Sequence, residues 1–208
     1  NSLLLGNADK YFLVSWTLWL PGVLETQGIV AADTFPPVLT TICMVIGAVV
    51  PSIAAIVLIY FHGRSGDLRA LFKRAFIWRL GRTYILLVFM LPTIVFAAHA
   101  INVYLLNGSW PSHDIYQEPW MIPALFFLMF ILQLGEEFGW RGFALDRLQI
   151  MLGPIKASLI LGVIWALWHL PMFFAAGFGH HDNQLPFFQL AITLILVSFI
   201  ITWAQNKS

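Results

Sequence analysis

Residues 38–61 form a 24-residue run without a single charged side chain, and that run sets the first constraint on this chain. About 20 consecutive apolar residues are enough for a helix to cross the hydrocarbon core of a bilayer. Inside lipid the backbone must satisfy its own N–H and C=O groups, which makes the run a helix and tolerates Pro51 as a kink within it. Further apolar runs at 11–30, 83–106, 120–134, 155–176 and 187–204 approach or reach the same length. The expectation is an all-α, polytopic transmembrane helix bundle with six spans in this chain. Composition agrees, since 60% of the 208 residues are apolar and 10% are charged. A net charge of +1 gives no reason to expect a nucleic-acid partner. The single cysteine, Cys43, leaves no internal disulfide and no cysteine-based metal site.

The charges are placed as a membrane protein needs them. Residues 62–82 hold Arg64, Arg69, Lys73, Arg74, Arg79 and Arg82, with Leu68, Leu71, Phe72, Ala75 and Phe76 at helical spacing. This reads as a basic amphipathic helix on the membrane surface, with a solvated loop as the plainer reading. With a cytoplasmic N-terminus, all eleven basic residues fall on inner segments. The outer loops, near 21–37, 107–119 and 177–186, then hold only Glu25, Asp33, Asp114, Glu118 and Asp182 among the charged residues. That asymmetry satisfies the positive-inside rule and predicts a multi-pass protein with its N-terminus in the cytoplasm. Pro21-Gly22 breaks the first run, which predicts a kinked span or a short span followed by a loop. Residues 146–155 read as a turn region punctuated by Gly153-Pro154. The chain begins at Asn1 and stops just after an apolar run, so the expectation is one membrane domain over 1–208 whose sequence continues at both ends.

Against this background, Gly135-Glu136-Glu137-Phe138-Gly139-Trp140-Arg141-Gly142 stands out. A charge at membrane depth costs roughly 2.5–3.5 kcal/mol on insertion scales. On a helix Glu137 and Arg141 are four apart and can pair, while Glu136 points about 100° away. Gly135, Gly139 and Gly142 form a stripe where another helix can approach. His169 lies in the next apolar span, four residues after Trp165, and antiparallel neighbours can bring it to Glu136. A carboxylate and an imidazole can activate water and stabilise an oxyanion, or share a metal. His99 reads as a packing residue, and His180, His181 and Asp182 as a solvated turn with ligand-like spacing. No His-Glu-x-x-His motif is present.

Glu136-Glu137-x-x-x-Arg141 followed by Trp165-x-x-x-His169 resembles the CAAX protease and bacteriocin-processing (CPBP) family, the Abi-type intramembrane proteases related to type II prenyl-protein endopeptidases. The likeness is strongest over 134–174 and weaker elsewhere, including 16–21. It implies a bundle of about eight membrane helices in a prokaryotic plasma membrane. It implies an intramembrane endopeptidase that cuts membrane-associated, prenylated or leader-type peptides. Glu136 would be the base that activates water, His169 would hold the water or the oxyanion, and Glu137 and Arg141 would keep the site in shape. It leaves two chemistries open: a divalent metal such as zinc on Glu136 and His169, or no metal. The implied partners are a peptide or protein substrate and membrane lipid. The family carries a further His-x-x-x-Asn pair on a later helix. After His169 this sequence has only His180, His181, Asn183 and Asn206, none at that spacing, so that helix is expected beyond Ser208. Two other classes compete with the enzyme. One is a non-catalytic immunity or scaffold protein of the same fold. The other is a proton-coupled transporter, for which repeated halves are lacking.

Overall fold

The computed structural model describes residues 8–74, 121–177 and 186–207, together with scattered positions between 90 and 108 and His181. Helix α1 spans Ala8–Thr26, α2 Pro37–His62, α3 Asp67–Arg74 and α4 Met121–Gly139. A π-helical turn, Trp140–Leu145, joins α4 to α5, Asp146–Trp168. A 3₁₀ turn, Leu170–Phe173, follows, and α6 runs over Phe187–Lys207. Among the described residues there is no strand, so the all-α expectation holds.

Residues 1–74 and 132–208 form one compact unit, and 75–131 a second. Most of the second unit lies outside the described residues, including His99 and all but Gly108 of the loop expected at 107–119. The described positions from 90 to 105 are helical.

Among the described residues, three stretches are long and apolar enough to cross a membrane: Pro37–His62, the continuous Phe130–Trp168, and Phe187–Lys207. Their apolar side chains do not all turn inward. Val38, Ile42 and Ile53 on α2, Leu159 and Val163 on α5, and Ile192 and Leu196 on α6 are all exposed. Such faces are an error in water and a requirement in lipid. The core of the first unit gathers Trp19, Trp140, Leu145, Leu161, Trp165 and Trp168. A smaller cluster packs α3 onto α2 and the π turn through Leu71, Ala55, Leu58, Ile59 and Phe143.

One open alternative is resolved and two local expectations change. Pro21 does not end the first helix, because α1 passes through it to Thr26. Proline removes one ladder donor, and neighbouring helices in a bundle can offset that loss. The region 146–155 is mostly helix, with the break confined to Gly153 (φ 75°, ψ 168°) inside α5. That backbone conformation is open essentially to glycine alone. The helix before His169 ends at Trp168 rather than running to 176. Pro171 has no N–H to continue the ladder, and the chain tightens into the 3₁₀ turn.

Candidate active site inside the bundle

Depth comes first. The small-residue stripe on α4 meets the middle of α2: a Cβ on Gly135 would lie 2.5 Å from Val49 Cγ1, and one on Gly139 would meet the backbone carbonyl of Pro51. Val49 is twelve residues from the start of α2 and Pro51 eleven from its end. At 1.5 Å per residue, Glu136 sits roughly 16–18 Å from either end of a spanning helix. Gly142, two turns on, faces Leu71 of α3 instead. The Gly139 N–H donates to Ser52 Oγ at 3.2 Å, fixing the point where α4 gives way to the π turn. Wider π turns recur at functional sites because they re-aim side chains within an otherwise regular helix.

Around this junction the side chains form one connected group. Arg141 Nη1 donates to Glu137 Oε1 at 2.6 Å, the pairing expected from their spacing. Glu136 turns the other way, and its Oε2 accepts the indole N–H of Trp165 at 3.1 Å. The Arg141 guanidinium carbon lies 3.9 Å from the centre of the Trp165 ring. The backbone carbonyl of Trp165 is 2.8 Å from His169 Nδ1. A carbonyl can only accept, so Nδ1 carries the proton and a neutral imidazole keeps its lone pair on Nε2. Glu136, Arg141, Trp165 and His169 are each at most 7% exposed. Arg141 Nε and Nη2 are buried and find no acceptor among the described residues. Leaving such donors unsatisfied is costly, and structures seldom do so without a functional reason.

Outside this group, α1 and α6 hold the frame. Trp16 Nε1 donates to the carbonyl of Trp168 at 3.2 Å, and the Trp19 ring packs edge-on to Trp168 with centroids 4.9 Å apart. Those contacts brace the end of α5 beside His169, whose ring lies 4.9 Å from that of Trp168. On α6, Gln205 Nε2 donates to Asp146 Oδ1 at 2.9 Å and to the Arg141 carbonyl at 3.4 Å. An apolar cleft with a cavity volume of about 80 Å³ adjoins the group, with Pro51, Leu58, Gly139, Trp140, Leu161 and Trp168 among its walls.

All four residues singled out in the sequence therefore come together. Trp165 is the one that residue-type reasoning passed over, although it touches Glu136, Arg141 and His169. Its spacing from His169 was visible, but a tryptophan among nine gives no sign that it will hold a carboxylate. His180 and Asp182 lie outside the described residues, and His181 is half-buried.

Glu136, Glu137 and His169 are the residues of metal-ligating type in the group, and Glu137 is paired with Arg141. Among the described residues no three His, Cys, Asp or Glu side chains converge. A zinc site takes three or four protein ligands, so these residues alone do not compose one. Glu136 also has one oxygen committed to Trp165.

Residues 118–208 match the family described as type II CAAX prenyl endopeptidase, Rce1-like. Over 91 residues, 42% of this chain, the sequence is 35% identical to a protein of Methanococcus maripaludis named CAAX prenyl protease 2. The chain spans about a third (33%) of that relative's length. The matched segment contains Glu136, Glu137, Arg141, Trp165 and His169, so the likeness read from those residues is borne out where they lie.

Proposed function

We propose, from the match of residues 118–208 to the Rce1-like family, that this chain carries the glutamate site of an intramembrane endopeptidase. Its substrate is a membrane-associated peptide, prenylated or of leader type. The observation that carries the reading is Glu136. It is a carboxylate buried at mid-depth, held on one oxygen by Trp165 and flanked by an imidazole tied to the same tryptophan.

In this reading a water enters between Glu136 and His169. Glu136 takes one proton from it, and the resulting hydroxide attacks the scissile carbonyl carbon. Negative charge passes to the carbonyl oxygen. When the C–N bond breaks, the proton held by Glu136 goes to the departing amine. His169 Nε2, carrying a lone pair, holds the water by accepting its second O–H. Glu137 fixes Arg141, and Trp165 supports the guanidinium from below. The two unsatisfied nitrogens of Arg141, Nε and Nη2, favour an acceptor that appears during the reaction, as an oxyanion does. The adjoining apolar cleft suits a substrate with a hydrocarbon portion. The likeness to a Methanococcus maripaludis protein supports a prokaryotic plasma membrane, and the positive-inside argument puts the N-terminus in the cytoplasm. A divalent metal, if the complete protein holds one, would draw on Glu136 and His169 and supply a Lewis acid beside the carbonyl.

The test is cleavage of a mixed peptide pool by the complete gene product in lipid, followed by mass spectrometry. Glu136→Gln keeps the shape and the bond from Trp165 but removes the base. General-base catalysis contributes roughly 10²–10⁴-fold, so the variant is expected to lose on the order of 10³-fold in rate. Cleavage at the wild-type rate would take Glu136 out of the base role.

A further inference from the structure

Helix α3 makes no part of the catalytic proposal, yet it is the most strongly two-faced element of the described chain. It follows α2 after the turn 63–66, so it lies where a spanning helix leaves the bilayer. One face is buried: Leu71 is 3% exposed and packs with Leu58, Ile59 and Phe143. Its Cδ1 would lie 2.6 Å from a Cβ on Gly142, so only a glycine admits it at this distance. The Phe72 ring lies 5.6 Å from that of Phe138, the residue after Glu137.

The other face is cationic. Arg64, Arg69 and Lys73 are exposed, and no carboxylate among the described residues pairs with any of them. The one nearby acid, Asp67, is engaged differently, since its Oδ2 accepts the backbone N–H of Arg64 at 2.8 Å. Beside these cations Tyr60 and Phe61 are about 70% exposed, and Phe72 is 43% exposed. Aromatic rings next to unpaired cations at the end of a membrane span form the composition that sits among lipid headgroups.

We infer that Arg64, Arg69 and Lys73 form a binding face for the phosphate headgroups of anionic bilayer lipid. The lipid thereby seats α3 against the π turn that carries Arg141. Charge complementarity names the occupant: three unpaired cations at the interface meet a surface whose commonest anion is a phosphodiester. An acidic peptide tail would use the same charges, but it gives no reason for the exposed aromatic residues. They project where acyl chains begin.

The probe is the complete protein in nanodiscs of phosphatidylcholine alone or mixed with phosphatidylglycerol. Lipid retained after release is counted by native mass spectrometry. Each basic residue near an anionic surface contributes roughly fivefold to binding, so Arg64→Gln/Arg69→Gln/Lys73→Gln is expected to lose on the order of 100-fold in preference for phosphatidylglycerol. The charge-preserving Arg64→Lys/Arg69→Lys should keep most of that preference. Salt of about 0.5 M should weaken it in the wild type. Equal phosphatidylglycerol retention by the wild type and the triple Gln variant would overturn the inference. So would an acidic peptide that binds the wild type in a charge-dependent way while phosphatidylglycerol does not. The readout is lipid rather than peptide cleavage, so its failure leaves the protease reading untouched.

Discussion

Two pairs of carboxylates in this molecule show what position does to a residue type. Glu25 and Asp33 line a crevice near the end of α1 and the start of α2, with Thr26, Thr40 and Thr41 among its walls. Glu25 Oε1 accepts the backbone N–H of Phe35 at 2.7 Å, and Asp33 is exposed in a left-handed turn conformation (φ 61°). Both acids serve a loop and remain in reach of water. Glu136 and Glu137 have the same chemistry but lie near the end of α4, level with the middle of the spanning helix α2. There each needs a named partner, Trp165 for one and Arg141 for the other. At the crevice the charge is inexpensive and local. At mid-depth it holds three helical elements in register: α4, the π turn and α5.

That contrast can be broken by substitution. The largest effect on stability should come from Arg141→Ala, which strands Glu137 with no counter-charge. Removing one partner of a buried pair costs about 3–5 kcal/mol. The 31% exposure of the Glu137 side chain argues for the lower end, about 3 kcal/mol. Thermal unfolding in detergent would measure it, and adding Glu137→Gln to that background should recover part of the loss. If Arg141→Ala unfolds at the wild-type temperature, the pair is not structural.

A smaller effect is expected from Trp165→Phe. The ring beneath Arg141 survives and the carbonyl that binds His169 is unchanged, so only the bond to Glu136 is lost. A hydrogen bond to a charged group is worth roughly 1.5–3 kcal/mol. On the proposed mechanism cleavage should fall by at least about tenfold, with the fall in kcat rather than KM, because Trp165 orients the base and does not touch substrate. A change confined to KM would assign Trp165 to substrate binding instead.

The smallest effect belongs to the crevice. Glu25→Gln keeps an oxygen able to accept the Phe35 N–H and removes only a charge that water solvates. Stability should move by no more than about 0.5 kcal/mol, and cleavage should not change. A shift as large as that of Arg141→Ala would erase the distinction between the two regions.

Much of the site was legible because much of it is local. The Glu137–Arg141 pair follows from a spacing of four on a helix, and the glycine stripe from the 3.6-residue period. The pairing of Glu136 with Trp165 spans 29 residues, and no periodicity reports it. The same holds for Trp16, which reaches the carbonyl of Trp168 across 152 residues. The π turn was equally hidden, because it depends on what α2 and α3 press against Gly139 and Gly142.

The sequence alone determined that this chain is helical, that it belongs in a membrane, and that Glu136, Glu137, Arg141 and His169 are its unusual residues. Those conclusions rest on the free energy of placing side chains in water or hydrocarbon, which each segment carries with it. The tertiary structure decided which tryptophan bonds Glu136, the carboxylate that the arginine leaves. It also decided that His169 sits at a helix end rather than within one. Those outcomes depend on contacts between segments far apart in the chain, where packing chooses among partners that local sequence leaves equivalent.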